Sequence, residues 1–392
     1  MNCPRRHRIY ISMITLQQYV TTWIHQLIVW LQELWDRWFG QVLSFDDSSI
    51  KVRVGRPLAE GGFSVVLRAT DATSPLSRGN NEYALKRIQC HDDEIQRACR
   101  REAQVHHALQ RGQPQNAKYL MPLYGVAWSD SDRVCFMLFP LLPHSLRREV
   151  QRRIFLNPDI FEARRAPWSE SIVLQLFQHL LQGVATMHAA GYAHCDIKLE
   201  NILCKGSNVQ HLISPVLMDF GSATTPLTRS LQTRQDILEV ADIASQHTTV
   251  SYRPPELFSG ELRVGETDLD YAKVDVWSCG CVLFAILYGA SPSESEFHRR
   301  TGRLQIVDCT QLKVLQDVPK PPDDAPAAKW YSADLVGLVD WILNKNRHER
   351  PTLAQVQARV DYLLNPAGAD LESPSTSFFD SAAAFGGRSM TY

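Results

Sequence analysis

In the stretch GYAHCDIKLENILC an acid, an ammonium and an amide, Asp196, Lys198 and Asn201, stand close together between two apolar runs. Gathering such groups in one short segment is costly unless something charged sits among them. A further acid, Asp219, follows in LMDFGSA. A carboxylate or an amide oxygen is a hard ligand for Mg²⁺, and a carboxylate beside a hydroxyl can orient it and take its proton. Upstream, a glycine-rich turn appears in LAEGGFSVV, Lys86 lies in EYALKRI, and Glu102 lies in a charged helical pattern. Taken singly these are ordinary features: a turn, an edge lysine, a surface pair partner, a cap. Their succession is what points to chemistry.

The elements that must position them follow from periodicity. SIKVRVGRPLAEGGFSVVLRAT and EYALKRI alternate apolar and β-branched residues and predict strands, and DDEIQRACRREAQVHHALQRG has helical spacing ending at Gly112. LMPLYGVAWSD and RVCFMLFPLL complete a small sheet. Beyond Pro143 the pattern turns helical, in ESIVLQLFQHLLQGVATMHAAG, VDVWSCGCVLFAILYGA, ADLVGLVDWILN and TLAQVQARVDYLL. A strand-rich half followed by a helix-rich half predicts an α+β chain of two lobes with a cleft between them. The chain has 392 residues, 44% hydrophobic, enough for a large core and more than one compact unit. A formal net charge of -1 argues against coating nucleic acid, and no such partner is expected. The nine cysteines lack CxxC spacing, so Cys279 and Cys281 read as small buried hydrophobes and a reducing compartment fits.

Residues 1–49 have a different character. Arg5, Arg6 and Arg8 precede a segment in which Trp23, Leu27, Trp30, Leu31, Leu34 and Trp38 share one helical face, opposite His25, Gln32, Glu33 and Asp36. Its polar interruptions recur too often for a clean membrane span. An amphipathic helix of this kind can lie in a membrane surface, with an acyl group on Cys3 as a second anchor, or pack against the body or a partner helix. An arginine-rich organelle presequence also fits, since no acid precedes Glu33, whereas no small-residue cleavage site marks a secretory signal. Beyond Asn365 the Ser, Ala, Gly and Pro content cannot support a core, so 365–392 is expected to be a disordered tail.

The glycine turn, strand lysine, helix glutamate, D-x-K-x-x-N, D-F-G and RPPE occur in the order of a protein kinase, each on the element that fold requires, across residues 52–364. The chain therefore resembles a bilobal protein kinase. The resemblance implies a kinase domain over 50–364, with an antiparallel-sheet N-lobe bearing one helix (about 50–139) and a larger helical C-lobe (about 143–364). It implies ATP and Mg²⁺ (or Mn²⁺) as cofactors. Lys86 would meet the α and β phosphates with Glu102 holding it, Asp219 and Asn201 would ligate the metal, Asp196 would act as base, and Lys198 would neutralise the moving phosphoryl group. The nucleotide would be bounded by Leu58, Ala59, Glu60, Gly61, Gly62, Val66 and Ala84 and by the backbone of Leu142, with Phe139 as gatekeeper. Thr249 stands where serine/threonine kinases bond the catalytic acid and lysine, so protein Ser and Thr hydroxyls are the expected acceptors.

Several positions depart from the common pattern. Ala59 and Ser64 replace usual glycines, leaving Gly61 and its neighbour Gly62 for close approach. Cys195 replaces the arginine of H-R-D, which normally pairs with a phosphorylated activation loop, so loop phosphorylation is expected to be dispensable. RPPE stands for A-P-E, with Glu256 available to Arg350. The segment from Asp219 to Glu256 contains helical spacing at Ile237, Leu238, Ala241 and Ile243, which predicts a self-ordered helix. The wording of these motifs resembles the Numb-associated kinase family, within it the lipid-modified branch found at Golgi or vacuole, which carries such a helix. Animal members of that branch are acylated on a glycine after the initiator methionine; Asn2 rules this out here, leaving Cys3 and the tryptophan-rich helix. The cytoplasmic face of a Golgi, endosomal or vacuolar membrane is the expected location, otherwise the cytoplasm. The rival reading, a pseudokinase scaffold that binds nucleotide and recruits partners at a membrane, does not need the intact Lys86, Asp196, Asn201 and Asp219.

Overall fold

The computed structural model of the chain describes residues 40–45, 49–61, 64–72, 82–111, 116–129, 131–157, 159–206, 214–258, 260–265 and 268–366. The amphipathic segment, Cys3, Gly62 and the tail beyond Pro366 lie outside the described residues.

The smaller lobe is one antiparallel sheet. Its strands are β1 (Val42–Ser44), β2 (Lys51–Glu60), β3 (Ser64–Asp71), β4 (Glu82–Gln89), β5 (Gly125–Trp128) and β6 (Val134–Pro140), in the order β1-β2-β3-β4-β6-β5. The sheet thus begins ahead of residue 50: Leu43 pairs with Val52, and Phe45 is buried beneath the strands. Because side chains alternate along a strand, Tyr83 and Leu85 face a cluster with Phe45, Val52, Ala69, Phe136 and Leu138, whereas Ala84, Lys86 and Ile88 face the other way. On that other side packs helix α1 (Asp93–Arg111), which buries Cys99, Glu102, Ala103, Val105, His106 and Leu109 along one stripe. Asp92 caps it, its Oδ1 accepting from the amides of Glu94 at 2.9 Å and Ile95 at 2.8 Å. The register across the sheet sets Lys86 opposite Val66 on one neighbour and Met137 on the other.

The larger lobe is helical: α2 (Leu146–Ile154), α3 (Glu170–Ala189), α4 (Arg234–His247), α5 (Tyr271–Tyr288), α6 (Ala333–Ile342) and α7 (Leu353–Leu364). A three-stranded sheet, β7 (His144–Ser145), β8 (Ile202–Cys204) and β9 (Pro215–Leu217), lies at its upper edge and carries the polar segment of interest just before β8. Helix α5 is apolar all round and almost wholly buried, the pattern of a central helix. Gly280 lets α6 come close, since a Cβ there would stand 2.6 Å from Ile342 Cγ2, and Gly289 ends the helix with a φ of 118°. Cys279 and Cys281 are buried on this helix, as expected.

Candidate active site

Asp196, Lys198 and Asn201 are brought together with Thr249 in one hydrogen-bonded knot. Asp196 Oδ1 accepts from the Thr249 amide at 3.0 Å and its hydroxyl at 2.7 Å; Oδ2 accepts from Lys198 Nζ at 2.7 Å and Asn201 Nδ2 at 3.2 Å. Lys198 Nζ also donates to Thr249 Oγ1 at 2.8 Å, and Asn201 Nδ2 to the Asp196 carbonyl at 2.9 Å. Asn201 uses its amide nitrogen in these contacts, which directs its oxygen chemistry elsewhere.

Beneath the knot lies a residue that sequence reasoning missed. Asp275 on α5 has no exposed surface, and its carboxylate accepts from the backbone amides of His194 and Cys195, both at 2.8 Å, and contacts His188 Nε2 at 2.8 Å. Cys195 holds a φ of 64°, a left-handed conformation that a side chain other than glycine adopts at a cost, and the Asp275 clamp sustains it. The signal was present: a lone acid in the apolar run VDVWSCGCVLFAILYG must be bonded to be tolerated.

The second cluster spans the cleft. Lys86 Nζ meets both Glu102 oxygens, at 2.8 and 3.0 Å, and Asp219 Oδ1 at 3.3 Å. Burial pulls the ammonium down, but the Glu102 and Asp219 carboxylates outweigh it and hold its pKa above the ordinary value. The charge of Lys86 in turn keeps Asp219 below the usual carboxylate range, against burial. Asp219 sits at a φ of 66° and is 43% exposed, open to the cleft. Phe220 turns inward, its ring 4.5 Å from His106 on α1 and 5.7 Å from His194, so aromatic packing joins the helix to the catalytic loop. His106 is 1% exposed and donates through Nδ1–H to the Met121 carbonyl at 3.1 Å, while burial, then the charge of Lys86, push its pKa down to about 3. Both histidines also escaped the sequence reading.

The expected nucleotide walls lie around this cleft. Leu58, Ala59 and Glu60 end β2, with Leu58 43% exposed, and the Gly61 amide donates to Ser64 O at 2.8 Å to close the turn. Val66 and Ala84 are half-buried on the same sheet, with Ala84 opposite Phe139, and Leu142 lies in the connector between β6 and β7. Phe139 contacts His106 at 5.3 Å.

The activation segment is ordered by packing. Helix α4 opens with a capping box between Thr233 and Asp236. The helix expected from the spacing at Ile237, Leu238, Ala241 and Ile243 is present; Leu238 and Ile243 are exposed, at 52% and 39%, and the buried residues are Val240 and Ala244, with Ile237 partly covered. The row Ile237, Val240 and Ala244, spaced i+3 and i+4, is the one that meets the body. This row packs with Leu231, Leu257, Leu262, Tyr271, Val274 and Cys195. Glu256 and Arg350 form a buried two-pronged pair at 2.6 and 2.9 Å, as expected from the sequence.

A bilobal fold with a lysine–glutamate pair over one side of a cleft and an acid–lysine–threonine knot on the other defines a phosphotransferase acting on nucleotide. The sequence profile of the family "Protein kinase domain" matches residues 52–360, and the chain belongs to this family. It is 31% identical over 311 residues to serine/threonine-protein kinase 16 of Mus musculus, covering 79% of this chain and 89% of that one. The human protein of that name is 29% identical over 326 residues, again covering 79% and 89%. Serine/threonine-protein kinase ppk13 of Schizosaccharomyces pombe is 26% identical over 347 residues, covering 80% and 91%. The chain is accordingly a serine/threonine protein kinase, a family that uses ATP and a divalent metal ion.

Proposed function

We propose that this kinase works at an intracellular membrane surface and reaches its active shape without phosphate on its activation segment. The observation that carries the second part is Cys195: where an arginine would await a phosphate, a buried thiol joins the apolar cluster that seats α4. Burying such a row contributes about 1 kcal/mol or more per side chain, without charge. The segment then delivers Thr249 to Asp196 and Lys198 directly.

In this reading Asp196 orients the acceptor Ser or Thr hydroxyl and takes its proton, held in place by Lys198, Asn201 and Thr249. Lys86, fixed by Glu102, faces the phosphates, and Lys198 neutralises charge on the moving group. The donors available to a metal ion, the Asp219 carboxylate and the Asn201 amide oxygen, are hard oxygens that suit Mg²⁺ or Mn²⁺. The ion, when bound, supplies neutralisation of phosphate charge. Placement within the Numb-associated kinases, in the lipid-modified Golgi or vacuolar branch, is supported by the motif wording EGGFS, YALKRI, LMDFGSA and TVSYRPPELF.

Membrane attachment rests on the tryptophan-rich face of residues 23–38 and on Cys3. Liposome flotation of the full chain and of a chain lacking residues 1–39, which spares β1, tests it. Loss of flotation on truncation, with peptide kinase activity retained, is the expected result; equal flotation of both overturns the anchor. Labelled ATP with Mg²⁺ or Mn²⁺ and matched Ser, Thr and Tyr peptides tests the acceptor class, with label expected on Ser and Thr alone.

A further inference from the structure

Three thiols that phosphoryl transfer does not use converge behind the Lys86–Glu102 pair. Cys90 follows directly on β4, Cys99 lies on α1 one turn before Glu102, and Cys135 stands in β6 opposite Ile88. Cys90 Sγ and Cys99 Sγ are 4.0 Å apart, and Cys135 is buried in the same cluster. All three are buried with Ile88, Ala103 and Met137. Burial as small hydrophobes accounts for Cys279 and Cys281, whose thiols burial pushes up. The trio differs because a strand end, a helix and a second strand each bring a sulfur to one point. The neighbouring thiols, against burial, bring Cys99 down to about 7 while Cys90 and Cys135 are raised, so Cys99 is the first of the three to ionise.

We propose that Cys90 and Cys99 are a disulfide-forming pair, oxidised by peroxide, that ties α1 to the end of β4. The Cys99 thiolate attacks one oxygen of hydrogen peroxide; the O–O bond breaks and the departing hydroxide takes up a proton as water. The Cys90 sulfur then attacks the sulfenic sulfur, forming S–S and breaking S–O, and a second water leaves with the Cys90 proton. Two thiols lose two electrons and one peroxide becomes two waters. The sulfurs must close from 4.0 Å to about 2.05 Å, a shift within reach of side-chain rotation and a small adjustment of the helix. They meet in the conformation in which Lys86 and Glu102 are paired, so the bond selects that conformation and restrains the helix from leaving the sheet.

The test treats the full-length protein with graded hydrogen peroxide, blocks free thiols, and digests it with trypsin without reductant. The expected product joins peptides 88–97 and 98–100 through Cys90 and Cys99, and dithiothreitol releases it. Amide exchange across 93–111 is expected to slow several-fold in the oxidised protein and to stay unchanged in peroxide-treated Cys99→Ser. Half-buried Cys309 serves as the internal reference for unselective oxidation. Oxidation of Cys309 with Cys99 unmodified, Cys99 driven to sulfinic acid without a cross-link, a Cys99–Cys135 bond in its place, or a cross-link that leaves exchange unchanged overturns the proposal. The wild-type cross-link decides the pairing even if the variant fails to fold.

Discussion

The two sides of the cleft are held in different ways. On the catalytic-loop side, Asp196 and its neighbours rest on a buried carboxylate, Asp275, that grips two backbone amides of a strained turn. On the lysine side, Lys86 is held between Glu102, on a helix packed on the sheet, and the half-exposed Asp219 of the other lobe. A buried clamp fixes a geometry because its partners have no alternative acceptor, whereas the Lys86–Asp219 contact, open to water on the Asp219 side, is more readily exchanged. In the proposed mechanism the fixed side carries proton handling and acceptor positioning, and the other side carries the charges that face the nucleotide.

Substitutions can break this contrast. Asp196→Asn is expected to lower kcat by about 10²–10⁴-fold, because it loses the base, and to lower the melting temperature as well, because its NH₂ then faces donors that the carboxylate now accepts from. Initial rates on a Ser/Thr peptide beside calorimetry check both halves. Asp275→Asn is expected to cost about 3 kcal/mol in unfolding free energy as well as activity, since one of the two amides then faces an NH₂ donor; denaturant titration reads this. If Asp275→Asn loses activity at unchanged stability, the clamp is not what holds the turn.

His106 sharpens the contrast through pH. Its folded pKa lies below that of the unfolded chain, so its contribution to stability is complete above about 6.5 and is lost as pH falls, because the unfolded state then takes a proton that the folded state refuses. At pH 5 the loss amounts to about 2 kcal/mol. The difference in stability between pH 8 and pH 5 should therefore shrink by about that amount in His106→Leu, whatever the substitution does at pH 8. Glu102→Gln, on the lysine side, should cost about tenfold in kcat, about 1.4 kcal/mol, as Asp219 still faces the ammonium.

Much of this was legible in the sequence because the chemistry-bearing residues fall on elements with clear periodicity. Periodicity placed Lys86 on a strand and Glu102 on a helix, and the resemblance to a protein kinase implied their pairing; Thr249, Glu256 and Arg350 also meet the partners that resemblance implied. What escaped depends on tertiary contact. Asp275 is one polar letter in a buried helix, and its partners are backbone amides, which no sequence pattern displays. The helix α4 was legible from its spacing, but apolarity alone does not say which row meets the body: Val240 does, and Leu238 does not. Strand β1 is three residues long, too short for alternation to register.

The proposed independence from activation-segment phosphate requires a catalytic loop that is complete before any phosphate is added. Phosphatase-treated protein, shown by mass spectrometry to carry no phosphate between residues 219 and 256, should phosphorylate a Ser/Thr peptide at its full initial rate from the first turnover. A lag that disappears only after the segment acquires phosphate would contradict it.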